Sequence, residues 1–145
     1  MRDQNIINIL LAEDNEDDVV IIRDAFAQRK LVNILHVVDN GQEAMEYLLQ
    51  RGQYENAVMP GLVILDINMP KKNGLEVLKE IKTNSVLKHL PVIMLTTSTQ
   101  ERDIVQSYSD GACSYVTKPV NFDEFIKVVD QFSLYWALVA KIPEV

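Results

Sequence analysis

Apolar positions along the chain alternate between two rhythms. Five short runs, Ile6 to Ala12, Ile34 to Val38, Leu62 to Leu65, Val92 to Leu95 and Tyr115 to Val116, are almost wholly hydrophobic. The first four are rich in Ile, Val and Leu and lack polar alternation, the pattern of strands buried on both faces, as in a parallel sheet. The fifth is shorter and predicts the last strand.

Helical spacing fills the gaps between these runs. Asn15 can cap a helix with Asp18 three residues on, and Val19, Ile22 and Phe26 then share one face. Asn40-Gly41 marks the next start, with Ala44, Met45, Leu48 and Leu49 as its apolar side. Leu75, Leu78 and Ile81 predict a third helix after Gly74. Ser98 and Glu101 have capping-box spacing before a fourth, which carries Ile104, Val105 and Tyr108. Asn121 and Glu124 repeat that spacing before a last helix with Phe125, Val129, Phe132 and Trp136 on one face. Strand followed by helix, five times over, predicts one α/β domain: a doubly wound five-stranded parallel sheet with helices on both faces. Arg51 to Gly61, with Gly52 and Pro60, is a long loop inside that domain rather than a linker.

Length agrees with a single domain over residues 1–145 and no separate output domain. No window approaches the ~20 apolar residues of a membrane span, and Met1-Arg-Asp-Gln-Asn does not open a signal peptide. One cysteine, Cys113, cannot form an internal disulfide and reads as a core residue of a protein in a reducing, cytoplasmic setting. The net charge of −7 disfavours nucleic acid and anionic membranes as partners.

The charge changes the picture more when it is placed on the elements. Ligands of open α/β sheets bind at the carboxyl ends of the strands. There the chain has Glu13-Asp14 after the first strand, Asp66 with Asn68 after the third, Thr96 after the fourth and Thr117-Lys118-Pro119 after the fifth. Clustered carboxylates repel and call for a cation, and an all-oxygen set suits Mg²⁺ or Mn²⁺ better than zinc. One of them, Asp66, can then attack phosphorus and become an acyl phosphate, with Lys118 and the Thr96 hydroxyl answering the phosphoryl oxygens. Taken singly, Glu13-Asp14 is as readily a helix-capping pair, Lys118 a surface lysine and Thr96 a strand residue. Asp66 is different, because a lone carboxylate in a central strand is costly. His36 and His89 lie away from the strand ends and predict core or surface roles, so a phosphodonor histidine must come from another protein.

Four segments carry a resemblance to the receiver domain of bacterial response regulators: Leu11 to Asp18, Val63 to Pro70 with Gly74, Pro91 to Thr96, and Gly111 to Pro119. The resemblance implies a flavodoxin-like receiver fold, a Mg²⁺ cofactor and a sensor histidine kinase as partner. It matches Asp66 with the phosphoacceptor, Asp14 with the direct metal ligand and Glu13 with the acid that holds the metal through water. It matches Asn68 with the backbone carbonyl ligand, Thr96 and Tyr115 with the switch pair, and Lys118 with the phosphate-pairing lysine. The bond before Pro119 is implied to be cis. The Arg51–Gly61 loop, Asn121-Phe-Asp-Glu-Phe, Tyr135-Trp136 and Ala140 to Pro143 resemble more closely the small response regulators of bacterial phytochromes. That narrower likeness implies a phytochrome-type kinase partner and a homodimer through the last helix.

Two other classes share parts of this pattern. An aspartyl-phosphate phosphatase needs a second carboxylate two residues after its nucleophile, where this chain has Asn68. A flavin-binding domain needs a Ser/Thr/Gly-rich loop after the first strand, where this chain has the acidic run Glu13 to Asp18. A receiver that serves only as a dimerising scaffold would not need the acids, threonine and lysine together.

Overall fold

The computed structural model describes residues 6–29, 33–97 and 113–141, without the side chains of 113 and 135–141. The elements run β1 (Ile7–Ala12), α1 (Glu16–Ala27), β2 (Asn33–Val38), α2 (Gly41–Leu48), β3 (Leu62–Asp66), α3 (Gly74–Thr83), β4 (Val92–Thr96), β5 (Cys113–Thr117) and α4 (Phe122–Lys141). All strand pairs are parallel, in the order β2-β1-β3-β4-β5. The chain therefore reverses its winding direction between β1 and β3, and a crevice opens there at the carboxyl ends. The helix expected around Ile104, Val105 and Tyr108, with its Ser98–Glu101 start, lies outside the described residues.

Two-residue alternation along the central strands divides the core in two. Leu10, Ala12, Val63, Leu65, Val92 and Met94 pack beneath α2 and α3. Ile9, Leu11, Leu62, Ile64, Ile93 and Leu95 pack beneath α1 and α4, where Phe26 and Phe125 meet edge to face at 5.8 Å. Every residue of β3 and β4 is buried, as runs without alternation predict. β2 departs from that expectation. It is an edge strand, with Ile34 and Val37 exposed, because a hydrophobic run reports strand propensity and not how many neighbours cover the strand.

The helices start where side chains can take up free backbone donors. Asn15 Oδ1 accepts from Asp18 N, Asn40 Oδ1 from Glu43 N and Asn121 Oδ1 from Glu124 N. α3 begins on a reciprocal capping box, Asn73 with Glu76, which the reading of a start at Gly74 had missed. Val19, Leu49 and Leu75 are only half-buried. Ala25, Tyr47 and Val77 take the inward places beside the expected residues. The Arg51–Gly61 loop holds one 3-10 turn, Gly52–Tyr54, and is tied down by Tyr47 Oη donating to Val58 O.

Two glycines shape the segment that follows β3. A Cβ on Gly74 would collide with the Asp66 carbonyl oxygen, and one on Gly41 with the Lys72 carbonyl oxygen. The starts of α3 and α2 thus press directly on the backbone of the loop that carries Asp66 to Lys72. Gly74 N also donates to Ile67 O at 2.9 Å, which closes that loop on itself. Lys71 sits at φ 69°, and Lys72 is ion-paired with Glu80 on α3. No helix among the described residues is long and apolar enough to cross a membrane.

Candidate functional site

Asp66 ends β3 and is buried, at 2 % exposure. Its two oxygens are held separately. Oδ1 accepts from Asn68 N at 3.1 Å, and Oδ2 accepts from Lys118 Nζ at 3.0 Å. β1 ends one strand away, so Glu13 and Asp14 come to the same crevice. Carboxylate oxygens of Glu13, Asp14 and Asp66 lie within 4.8 Å of one another, Glu13 buried and Asp14 exposed. Glu13 Oε2 accepts from Asn15 N at 3.0 Å and from Lys118 Nζ at 3.2 Å.

Lys118 follows β5 and is the cation of this cluster. Its ammonium touches Asp66, Glu13 at 3.1 Å and Asp18 at 3.4 Å. Lys118 N donates to Thr96 O at 2.6 Å, and the Lys118–Pro119 peptide bond is cis. Burial alone would depress the lysine, but hydrogen bonds to Asp66 and then Glu13 outweigh it and hold the ammonium protonated far above its ordinary range. Glu13 is raised as well, which for an acid favours the neutral form. Burial pushes it up to about 7, assisted by the Asp66 charge and opposed by the Asn15 N–H and by Lys118.

That shift has a sign for stability. A carboxyl raised from 4.5 to about 7 on folding binds its proton more tightly in the native state. Its contribution is fully present below the unfolded value and is lost as pH rises through 7. Metal-free protein should therefore lose on the order of 2–3 kcal/mol between about pH 4.5 and pH 8 from this residue. Urea unfolding in EDTA across that range should show the decline, and Glu13→Gln should flatten it. An unchanged slope in the variant would contradict the assignment.

Thr96 is fully buried at the end of β4, and its Oγ1 has no hydrogen-bond partner among the described residues. Tyr115 is half-buried on β5 and packs against the core under α2 and α3. Asn68 is exposed beside the acids, with its Nδ2 donating to Thr97 Oγ1 at 3.5 Å. Glu13, Asp14, Asp66, Asn68, Thr96 and Lys118 thus gather at the carboxyl end of the sheet, and Tyr115 lies on the strand that leads to Lys118. His36 is outside the site: its Nε2 meets Asn8 Oδ1 at 3.2 Å and its ring packs near Tyr47. His89 is exposed.

One residue escaped the sequence reading. Asp18, 5 % exposed, turns its carboxylate into the cluster, with Oδ1 accepting from Val120 N at 3.2 Å and Oδ2 near Lys118. In the sequence it looks like an ordinary acid of a helical first turn. The available signal was its spacing to Ile22 and Phe26, which puts it on the inward face of α1.

An all-oxygen acid cluster with a buried carboxylate, a fixed ammonium and a buried hydroxyl without a partner among the described residues suits a divalent cation and a phosphoryl group. The model of the response regulator receiver domain matches residues 9–130. Response regulator Rcp1 of Synechocystis sp. is 38% identical over 135 residues, 93% of this chain and 92% of that one. The structure of the phosphorylated cyanobacterial phytochrome response regulator RcpA superposes with a TM-score of 0.79 at 40% identity, covering 97% of this chain and all of that one. The Mn²⁺-bound form of Rcp1 gives a TM-score of 0.77 at 36% identity, over 90% of this chain and 94% of the other.

Proposed function

This chain belongs to the response regulator receiver domain family, whose members accept a phosphoryl group on an aspartate, and from that premise we propose that Asp66 is its acceptor and that its phosphorylation switches protein–protein interactions. The observation that carries the reading is the buried Asp66 carboxylate, held by Lys118 Nζ at 3.0 Å and within 4.8 Å of the Glu13 and Asp14 oxygens.

In the reaction, an Asp66 carboxylate oxygen forms a bond to phosphorus as the P–N bond of a donor phosphohistidine breaks. The leaving imidazole nitrogen keeps the bonding pair and takes up a proton. Asn68 N–H and Lys118 fix the direction of the Asp66 oxygens before the donor arrives, which lowers the entropy lost at the transition state. Lys118 is placed to follow the charge onto the phosphoryl oxygens, and the Thr96 hydroxyl can donate to another. Asp14, Asp66 and the Asn68 carbonyl are the groups that would hold Mg²⁺, or Mn²⁺ in its place, with Glu13 behind them. When bound, the ion supplies positive charge to the phosphoryl oxygens. Once Asp66 is phosphorylated, Thr96 moving toward the phosphoryl oxygen would free space for Tyr115, which couples the site to the surface.

The donor class we infer is a phytochrome-type histidine kinase, on the strength of the likeness to RcpA over the full length of that protein. A receiver for a histidine kinase without a photoreceptor is the competing reading. Profiling initial phosphotransfer rates from a panel of phosphorylated kinases separates them. The phytochrome-class donors should be preferred by at least roughly tenfold, a difference of ~1.4 kcal/mol. Equal transfer from all donors would remove the narrower reading and leave the receiver assignment standing.

We also infer a cytoplasmic homodimer joined through α4. Leu134 is 71% exposed on this 20-residue helix, and Val128 is half-buried. Tyr135 and Leu138 continue the stripe of Val128, and Val139 and Ile142 add with Leu134 to the apolar tail, but the side chains of 135–142 lie outside the described residues. Light scattering at micromolar concentration, with and without beryllofluoride, should give twice the chain mass in at least one state. A monomer in both would rule the dimer out.

A further inference from the structure

We propose that Asp18 is a positioning residue for Lys118, acting on both the lysine's ammonium and the turn that carries it. The inference rests on the reading of Lys118 as the phosphoryl-pairing cation.

The two oxygens of Asp18 do different things. Oδ1 accepts from Val120 N, 102 residues away in the chain and just past the cis Lys118–Pro119 bond. Oδ2 lies 3.4 Å from Lys118 Nζ. A single buried carboxylate on α1 therefore ties down the backbone two residues after Lys118 and, at the same time, the tip of its side chain. Asp18 is held in turn by its own backbone, because its N–H donates to the Asn15 cap at 3.1 Å.

An ammonium has three N–H donors. Here three carboxylates surround it, with Asp66 at 3.0 Å, Glu13 at 3.1 Å and Asp18 at 3.4 Å. Two of those three are committed to the chemistry. Asp66 loses its charge at the oxygen that bonds to phosphorus, and Glu13 belongs to the acid cluster that fits a cation. Asp18 is the member that neither bonds to phosphorus nor belongs to the acid cluster that fits a cation. It therefore supplies the constant attraction that keeps Lys118 beside the crevice while its other partners change. Without it, a long side chain with four rotatable bonds would be held by partners that the reaction itself alters.

Two variants separate this role from a merely structural one. Asp18→Asn keeps an oxygen for Val120 N but presents no charge to Lys118. Asp18→Ala removes both. The Lys118 ammonium should be followed by ¹⁵N–¹H NMR on metal-free protein, and phosphorylation by acetyl phosphate at saturating Mg²⁺. In Asp18→Asn the Lys118 ammonium resonance should shift and broaden, since the charge that holds the ammonium on that side is removed. Its maximal phosphorylation rate should fall roughly tenfold, with Mg²⁺ affinity changed less than about twofold, the pattern of a misplaced rather than a missing group. Asp18→Ala should show the same ammonium change together with reduced stability.

An Asp18→Asn protein whose ammonium signal and maximal rate both match the wild type would overturn the proposal. So would a rate loss with an unmoved ammonium signal, which would assign Asp18 to the backbone alone. If the wild type itself took no label, the receiver reading would fail. The ammonium measurement needs no phosphoryl donor and would still decide whether Asp18 holds Lys118.

Discussion

Asp66→Asn is expected to abolish phosphoryl incorporation from acetyl phosphate or from a phosphorylated kinase, a loss of at least roughly a thousandfold, because a carboxamide is not a nucleophile toward phosphorus. The substitution is close to isosteric, so the fold should survive. Asn68 N can still donate to the amide oxygen in place of Asp66 Oδ1. The amide NH₂ would then face the Lys118 ammonium, which keeps Glu13 and Asp18 as partners. Intact-mass analysis reads the result directly, and peptide mapping of the wild type should place the label on Asp66. Full labelling of the variant at another residue would remove Asp66 from the acceptor role.

The second large effect concerns the cation. EDTA should reduce labelling to background, and Asp14→Ala should weaken Mg²⁺ binding by roughly a hundredfold, more than Glu13→Gln does. The reason is in how each acid is engaged. The Glu13 carboxylate is buried and already bound by Asn15 N and Lys118, whereas Asp14 is exposed at the mouth of the cluster. A cation entering from solvent meets Asp14 first and must compete with Lys118 for Glu13. Fluorescence or calorimetric titration gives both constants, and equal losses in the two variants would reject that division of roles.

Much of this was legible in the chain because parallel strands and amphipathic helices leave different periods. The alternation of runs and helical faces places Glu13, Asp14, Asp66, Thr96 and Lys118 at one end of one sheet before any coordinates are known. Two kinds of feature stayed hidden. The exposure of Ile34 and Val37 depends on strand order, which no single strand encodes. Asp18 meets the turn after Lys118 where that turn folds back over α1, so a residue that reads as a first-turn acid in isolation becomes a partner of the site. The Asn73–Glu76 capping box was within reach of the same spacing rule that found the others. The glycine there, one residue later, drew the start of α3 to itself.

Gly41 and Gly74 carry no chemistry, yet both abut the peptide segment between Asp66 and Lys72. Any side chain at either place must displace the backbone that carries Asp66, or the helix that leans on it. Mutational tolerance is therefore decoupled from chemical role in this part of the molecule. Two residues without side chains are held to glycine by the backbone that passes over them. A map of sensitive positions would draw the outline of the site too large, extending it to the first turns of two helices whose only part is to be thin where the loop passes.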